Sequence, residues 1–204
     1  QFPGQGKPPT GVTFDSTMGT RIDEALARAL LYGLDGKNEV RVVAVSVGNP
    51  NLHSAAFPEV VGRLYAGAVS GAFGAVGRNL PVGMAMEGKV PEDTPMLTEP
   101  LSKKGPDGKP VHNHGIHKRN DTAEAPALIR NAFTSQVGQK CIAGLAGPAN
   151  NLAQVRDVPG VKDLISRNVR YLVAAGEAFP NGPPEFHFQT DIPAARKLFA
   201  EWPT

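Results

Sequence analysis

Residues 13–34 have the sequence TFDSTMGTRIDEALARALLYGL, and the predicted fold is built outward from them. It has the pattern of a strand end, a turn and an amphipathic helix, because apolar residues recur at helical spacing after the turn. The pattern places Arg21, Glu24 and Arg28 on the solvent side of the helix. The predicted buried face comprises Ile22, Ala25, Leu26, Ala29, Leu30 and Leu34.

Acidic side chains gather around the turn between this strand and this helix. Asp15 closes the strand, while Asp23 and Glu24 lie in the first helical turn, where unpaired backbone N–H groups favour negative charge. Ligands of an open α/β sheet usually bind outside the carboxyl ends of its strands. We therefore expect the acids to converge near one strand end. An ordinary capping box from Thr20 to Asp23, opening a surface helix, is the alternative.

The rest of the chain alternates between strand and helix patterns. Residues 40–47, VRVVAVSV, form a dense β-branched run that is typical of a strand buried on both faces of a parallel sheet. Further strands are predicted at residues 80–86, 140–146 and 169–175, and helices at residues 54–72, 122–137 and 191–202. This order predicts an α/β fold with a doubly wound, mostly parallel, Rossmann-like sheet of about five or more strands and helices on both faces.

The first turn resembles the opening signature of the inosine-uridine preferring nucleoside hydrolases, D-T-D-x-G followed by D-D-A-L-A, in a longer-turn variant. The matching segments are residues 15–19, DSTMG, and residues 23–27, DEALA. The resemblance implies a calcium ion, held by Asp15, Asp23 and Glu24, that binds the ribose diol and an attacking water.

Three departures from the signature concern the same turn. Thr17 stands where the family has a metal-binding acid that also serves as general base, so the resemblance places Thr17 with Asp15 and Asp23 in the catalytic group. Glu24 replaces an aspartate, and Arg21 occupies a turn that is often acidic in longer-turn relatives. We expect these changes to weaken calcium binding.

Later segments also resemble the family. Asn49 follows the second predicted strand and matches an asparagine that faces the active site, although a tight turn explains it equally well from the residues alone. Ala146 precedes GPANNLA, which is similar to G-P-L-T-N-L-A, and the resemblance gives its backbone carbonyl to the calcium. The segment NGPPEFH resembles the N-x-E-F-N ribose clamp, and its sugar-binding positions are Asn181, Glu185 and His187.

A proline-rich stretch at residues 87–121 shows no helical or strand periodicity, so we expect it to be a disordered loop or a functional lid. It contains His112, His114 and His117. Without a complementary cysteine cluster or HExxH helix, solvated histidines are favoured over a metal site. The resemblance adds a third role, in which His112 or His114 approaches the base or ribose.

Composition limits the class of protein. The 204 residues are 41% hydrophobic, which suits one domain, predicted at residues 12–204 after a disordered Pro/Gly-rich segment at residues 1–11. The 21 basic and 19 acidic residues are scattered, so no nucleic-acid partner is expected. The single cysteine, Cys141, lies in a predicted buried strand, and no apolar run is long enough to span a membrane.

The sequence leaves the cellular compartment and the oligomeric state open. The chain starts at Gln1, which predicts an extracytoplasmic protein if a signal peptide has been removed, and a cytoplasmic one if Gln1 is a cloning boundary. A homo-oligomer is compatible with the sequence.

Two functions remain for the expected small-molecule partner, a nucleoside or sugar. The first is an enzyme that hydrolyses the N-glycosidic bond of a ribonucleoside with a calcium-bound water. The second is a catalytically decayed relative that binds a sugar or nucleoside without turnover. Thr17 favours the second function, as does the expected lack of the family's C-terminal lobe, which supplies a further calcium-binding aspartate.

Overall fold

The computed structural model describes residues 9–68, 80–176, 181–183 and 185–203. Within these residues the strands are β1 Thr10–Ser16, β2 Val40–Val47, β3 Val82–Met84, β4 Ala123–Glu124, β5 Cys141–Ala146 and β6 Val169–Ala174. The helices are α1 Ile22–Gly36, α2 Leu52–Ala68, α3 Pro95–Ser102, α4 Ala125–Thr134, α5 Asn150–Asp157, α6 Val161–Asn168, α7 Phe186–Thr190 and α8 Ile192–Glu201.

The strands form one sheet in the order β4-β3-β2-β1-β5-β6, and every pair in it is parallel. The chain moves outward from β1 to β4 and then returns to the other side of β1 with β5. The strand order therefore reverses between β1 and β5, which is the position where open α/β sheets bind their ligands. This arrangement confirms the predicted doubly wound sheet.

Helices cover both faces of the sheet. On one face α1 packs against α2 and β2, and α3 packs on α2. On the other face α4 packs against β2, β3, α5 and α6, and α8 packs on α5. Each layer has its own apolar core, one around Val45, Val47 and Leu97 and the other around Phe133, Leu145 and Leu152.

At most of the predicted positions, the exposed and buried faces of α1 are the reverse of the prediction, although Ala25 packs against the core as expected. Ile22, Leu26 and Leu30 are 60%, 62% and 63% exposed, whereas Glu24 and Arg28 are only 2% and 1% exposed. The charged side chains are buried because the turn and β1 offer them polar and aromatic partners. Local apolar spacing cannot report such partners.

The start of α1 also differs from the predicted capping box. The helix begins after Arg21, which has extended backbone geometry and provides no side-chain cap. The Thr20 hydroxyl is buried and does not cap the helix. Asp23 Oδ1 instead accepts a hydrogen bond from the N–H of Glu24, 3.0 Å away.

Residues 87–121 contain regular structure that the sequence pattern did not predict. Helix α3 lies within them, as do a 3-10 turn at Arg119–Asp121 and an antiparallel bridge between Lys104 and Pro110. Leu97 of α3 is buried against the turn after β1, where a Cβ on Gly19 would lie 2.4 Å from it. One buried leucine anchors this short helix, so it has little periodicity to detect.

Other boundaries differ by a few residues. The predicted helix at residues 54–72 is α2, and residues 69–72 lie outside the described residues. The segment predicted as one helix at residues 122–137 contains β4 and then α4. Thr10 and Gly11 belong to β1, so the predicted irregular segment 1–11 was too long, and its residues 1–8 lie outside the described part of the chain. Among the described helices, none is both long and apolar enough to cross a membrane.

Candidate functional site

Two cavities of about 230 Å³ each open at the carboxyl edge of the sheet, next to the reversal point between β1 and β5. The first, which we call the asparagine cavity, is lined by Thr17, Asn49 and Asn150 among other residues. The second, the histidine cavity, is lined by residues that include Glu24, Ala146 and His187. The turns that follow β1 and β5 meet between them.

Close backbone contact holds these turns together. A Cβ on Gly147 would lie only 2.7 Å from the backbone of Ser16 and Thr17, so the approach requires glycine. The N–H of Thr17 donates to the carbonyl of Ala146 at 3.4 Å. The position of Thr17 is therefore fixed by both strands that flank the reversal point.

The asparagine cavity is built around two amide side chains. Asn49 Nδ2 donates to the Thr17 carbonyl at 2.7 Å, and Asn150 Nδ2 donates to the Gly48 carbonyl at 3.0 Å. The Oδ1 atoms of both asparagines are buried without a hydrogen-bond partner. Buried polar atoms are normally paired, so a bound water or ligand is the expected complement. Lys89 adds a positive charge to the wall of this cavity.

A chain of three buried side chains connects the two cavities. Thr17 Oγ1 lies 2.9 Å from His187 Nδ1, and His187 Nε2 lies 3.2 Å from Glu24 Oε1. The other carboxylate oxygen of Glu24 accepts a hydrogen bond from the N–H of Met18. Burial raises the pKa of Glu24 to about 8, with Asp23 adding to the effect and Met18 opposing it. Despite its contact with His187, Glu24 Oε1 has no well-oriented hydrogen-bond partner among the described residues.

Asp15 lies below the cavities and lines neither of them. Its Oδ1 accepts hydrogen bonds from Ser46 Oγ at 2.5 Å and from Asn151 Nδ2 at 2.9 Å. Burial raises the pKa of Asp15 to about 6, although these two hydrogen bonds favour the charged form. Asn151 also donates to the Val47 carbonyl, so Asp15 is part of the contact among β1, β2 and the start of α5.

Arg28 is buried one helical turn beyond Glu24. Its guanidinium carbon lies 5.5 Å from the centre of the Phe14 ring, which permits a cation–π contact. Burial lowers the pKa of Arg28, whereas Tyr32, Glu24 and Asp15 favour its charged form. Sequence reasoning placed this charge in solvent, whereas the structure buries it over the Phe14 ring of β1.

The predicted acids come together only in part, because Asp23 and Glu24 line the histidine cavity whereas Asp15 lines neither cavity. The Asp23 side chain is 59% exposed and pairs with Arg21 Nε at 3.1 Å, while Asp15 and Glu24 are buried with other partners. In the described part of the chain, no group of three or more His, Cys, Asp or Glu side chains could hold a metal ion. Calcium takes six to eight oxygen ligands, so this donor set does not fit it. The Ala146 carbonyl accepts a hydrogen bond from Thr17.

The predicted sugar-binding residues divide into two groups. Asn49 lines the asparagine cavity, and Glu185 and His187 line the histidine cavity. The Glu185 carboxylate also caps α7, accepting a hydrogen bond from the N–H of Phe188 at 2.8 Å. Asn181 is exposed and lines neither cavity.

His114 also lies apart from the cavities. Its ring packs on the ring of His117, with centroids 4.8 Å apart. The N–H of Gly115, the residue after His114, donates a hydrogen bond to the Glu59 carboxylate of α2. Burial and the neighbouring His117 lower the pKa of His114. His114 lines neither the asparagine cavity nor the histidine cavity, and its approach to the base or ribose stays a prediction.

Sequence reasoning missed several residues of the site. Ser46 is a polar residue near the carboxyl end of an otherwise mostly apolar strand, and such a position could have indicated a site residue. Asn150 and Asn151 follow the conspicuous Gly147-Pro148 turn, which is a second signal. The sequence contains no comparable sign for Arg28. Its spacing of four residues from Glu24 is common on solvent-exposed helices and does not indicate burial.

Comparison with known proteins identifies the fold. A scan against protein-family models finds no match for this chain, and a search of curated proteins finds none either. Among solved structures, the plant nucleoside hydrolase PpNRh1 matches with a TM-score of 0.60 and 21% identity, over 94% of this chain and 57% of its own. The inosine-uridine preferring nucleoside hydrolase of Bacillus anthracis matches with a TM-score of 0.58 and 18% identity, over 94% and 62%. The chain has the nucleoside hydrolase fold.

An effector protein shares this nucleoside hydrolase fold. The type III effector protein XopQ, solved in complex with adenosine diphosphate ribose, matches with a TM-score of 0.65 and 14% identity, over 96% of this chain and 54% of its own. The chain thus spans between 54% and 62% of the length of these three structures. Membership of the inosine-uridine family itself remains a prediction.

Proposed function

We propose that this chain binds a ribosyl compound, a nucleoside or a relative of adenosine diphosphate ribose, and does not hydrolyse it in a calcium-dependent way. The observation that carries the proposal is the pair of cavities at the reversal point of a nucleoside hydrolase fold. Proteins with this fold include nucleoside hydrolases and an effector solved with adenosine diphosphate ribose.

The polar groups around the cavities suit a sugar with neighbouring hydroxyls. The Thr17 hydroxyl can donate or accept, and the Glu185 carboxylate can accept hydrogen bonds. Asn49 and Asn150 supply buried amide oxygens whose hydrogen bonding is incomplete. Phe186 and Pro148 line the asparagine cavity and offer apolar surface for a base.

The acid positions support binding rather than calcium-dependent turnover. Asp23 is exposed and paired with Arg21, and Glu24 is engaged by Met18 and His187. A divalent ion gains affinity with the number of carboxylates that reach it. Here Asp15 lies outside the histidine cavity, and the carboxylates of Asp23, Glu24 and Glu185 that line it have protein partners.

Hydrolysis of the N-glycosidic bond is the second candidate, favoured by the Thr17–His187–Glu24 chain. In this alternative the hydroxyl of Thr17, held by His187, orients the attacking water, and Glu24 orients the imidazole. Release of the free base would then proceed without added calcium.

One experiment separates these functions. Calorimetry with inosine, uridine, adenosine and adenosine diphosphate ribose measures binding, and chromatography of the same mixtures, with calcium or with a chelator, measures base release. We expect saturable binding of at least one compound and no base release above the rate in buffer. Base release that depends on calcium would contradict the proposal, and so would a failure to bind any ribosyl compound.

Variants locate the binding site. Asn49→Ala removes an amide of the asparagine cavity, and we expect affinity to fall about tenfold, the equivalent of one hydrogen bond. Asn131→Ala on the exposed surface of α4 is the matched control and should leave the affinity unchanged. Equal losses in both variants would place the ligand elsewhere.

A further inference from the structure

One wall of the asparagine cavity is a segment that lacks backbone hydrogen bonds to the rest of the fold. We call residues 87–93 the wall segment. Four of its members, Gly88, Lys89, Val90 and Pro91, line the cavity. Among the described residues, no backbone-to-backbone hydrogen bond involves the wall segment, and no helix or strand contains it. Such a segment keeps one conformation only where side-chain contacts hold it.

The chain is anchored on both sides of the wall segment. Before it, the N–H of Ala85 donates a hydrogen bond to the Val47 carbonyl at 3.0 Å. After it, the Thr94 hydroxyl donates to the Gly19 carbonyl at 2.6 Å, and the buried side chain of Leu97 lies against Gly19. The residues between these anchors depend on contacts of their own.

Asp93 supplies those contacts. Its Oδ2 lies 2.7 Å from His53 Nδ1, and its Oδ1 accepts a hydrogen bond from Asn51 Nδ2 at 3.0 Å. Asn51 Nδ2 also lies 3.5 Å from the Pro91 carbonyl. The hydrogen bond from Asn51, followed by that from His53, lowers the pKa of Asp93, so the carboxylate is ionised at neutral pH. Hydrogen bonds to an ionised acceptor are stronger than neutral ones.

The partners of Asp93 belong to a rigid part of the fold. Asn51 is 8% exposed, and its Oδ1 accepts hydrogen bonds from the N–H groups of His53 at 2.8 Å and Ser54 at 3.0 Å. These bonds pair N–H groups of the first turn of α2 that have no partner within the helix. Ala55 and Ala56 in the same turn are buried in the core. Asp93 is therefore bound to a fixed helix end.

We propose that Asp93 is a positioning residue that holds the wall segment to the start of α2 and thereby keeps the asparagine cavity in its binding shape. A Cβ on Gly88 would lie 3.6 Å from Asn150 Nδ2, so the segment reaches an amide whose oxygen lacks a partner. Without the Asp93 contacts the segment is free to leave Asn150, and the cavity loses one wall. The effect on ligand affinity rests on the proposed function, whereas the attachment itself needs no ligand.

The first test measures the attachment without a ligand. Trypsin cuts after Lys89 when the wall segment detaches from the fold, so the rate of this cut reports the detached population. In Asp93→Ala the cut should be at least about tenfold faster, because hydrogen bonds to a charged group are lost. Glu92→Ala is the matched control, since it removes the same charge from an exposed side chain of the same segment that does not line the cavity. Equal rates in the two variants would overturn the proposal.

The second test measures the consequence for the cavity, by calorimetry with inosine and with adenosine diphosphate ribose. The affinity of Asp93→Ala for a compound that the unmodified chain binds should fall about tenfold, while the midpoint of urea unfolding stays unchanged. Asp93→Asn keeps one carbonyl oxygen as an acceptor and should lose less affinity. A faster cut after Lys89 with unchanged affinity would show that Asp93 does not shape the cavity, and would overturn the proposal. If the unmodified chain binds neither compound, the proposed function fails, and the cut after Lys89 alone decides whether Asp93 holds the segment.

A double variant tests whether His53 and Asp93 act as one contact. His53→Ala should also speed the cut after Lys89, and the variant with both changes should be cut no more than about twofold faster than Asp93→Ala, because residues in contact do not act additively. Effects that multiply in the double variant would mean that the two side chains act separately, which contradicts attachment through this pair. The cut after Lys104, beyond α3, is the internal reference and should keep its rate in all variants.

Discussion

The Thr17 hydroxyl lies 2.9 Å from Nδ1 of His187, although 170 positions separate the two residues in the chain. Thr17 belongs to the turn after β1, and His187 belongs to α7. The bond therefore joins the first strand of the sheet to a helix near the end of the described chain. It also joins the walls of the two cavities, so its loss should affect both stability and ligand binding.

Replacing Thr17 tests this connection. Thr17→Val is nearly isosteric but leaves a buried imidazole nitrogen without its partner, and we expect a loss of about 1–3 kcal/mol in the free energy of unfolding. Thr17→Ser keeps the hydroxyl and is the matched control, with a smaller loss. Urea denaturation followed by circular dichroism measures both values. Equal losses in the two variants would mean that the hydroxyl contributes nothing.

The reversed faces of α1 give a second prediction. Leu26→Gln changes a side chain in solvent, so the free energy of unfolding should stay within about 0.5 kcal/mol of the original. Tyr32→Ala removes a buried ring that stacks on Tyr65 with centroids 6.0 Å apart, and it should cost about 3 kcal/mol or more. The comparison uses thermal or urea unfolding of both variants. If Leu26→Gln lowered the free energy of unfolding more than Tyr32→Ala does, α1 would instead bury the face that the sequence pattern predicts.

Apart from β4, the strands in the described part of the chain could be predicted from the sequence. The β-branched run of β2 is largely buried because helices cover both faces of a parallel sheet. The composition of this run is therefore enough to identify the strand. The alternation of strands and helices then determines the doubly wound arrangement, since parallel strands need crossover connections. Nothing beyond local composition is required for these steps.

The site was less predictable because its contacts are long-range. The bond of Asn151 to Asp15 and that of Thr17 to His187 join residues more than one hundred positions apart, and neither partner carries a local pattern. The burial of Glu24 and Arg28 follows from such partners, whereas helical periodicity treats every charge as solvent-facing. The motif that begins at Asp15 includes Thr17 and Glu24, which line the two cavities, but it could not show which acids meet.

Cys141 provides a third prediction. The thiol is buried in β5, and burial raises its pKa to about 12. Because the thiolate is the reactive form, the folded chain should react with a thiol reagent at pH 8 at least about a hundredfold more slowly than the unfolded chain. Ellman's reagent with and without denaturant measures the two rates. Fast labelling of the folded chain would mean that β5 opens readily.

The pH dependence of stability gives the fourth prediction, and it concerns Glu24. Burial raises its pKa from 4.5 to about 8, so between these values the folded chain holds a proton that the unfolded chain releases. Stability therefore falls as pH rises through this window, and it levels off above pH 8. Each unit of pKa difference corresponds to about 1.4 kcal/mol, so the total effect is a few kcal/mol.

Glu24→Gln removes this titration while keeping the shape of the side chain. Asp15, whose pKa burial raises to about 6, adds a decline of the same sign between pH 4 and 6, but it is present in both chains and cancels in the difference. The variant should thus gain stability relative to the original chain as pH rises from 5 to 8, in urea unfolding at each pH. Glu99→Gln, on the exposed side of α3, should show no such trend. A difference that stays constant from pH 5 to 8 would mean that Glu24 is already ionised in the folded chain and forms a permanent ion pair with His187 or Arg28.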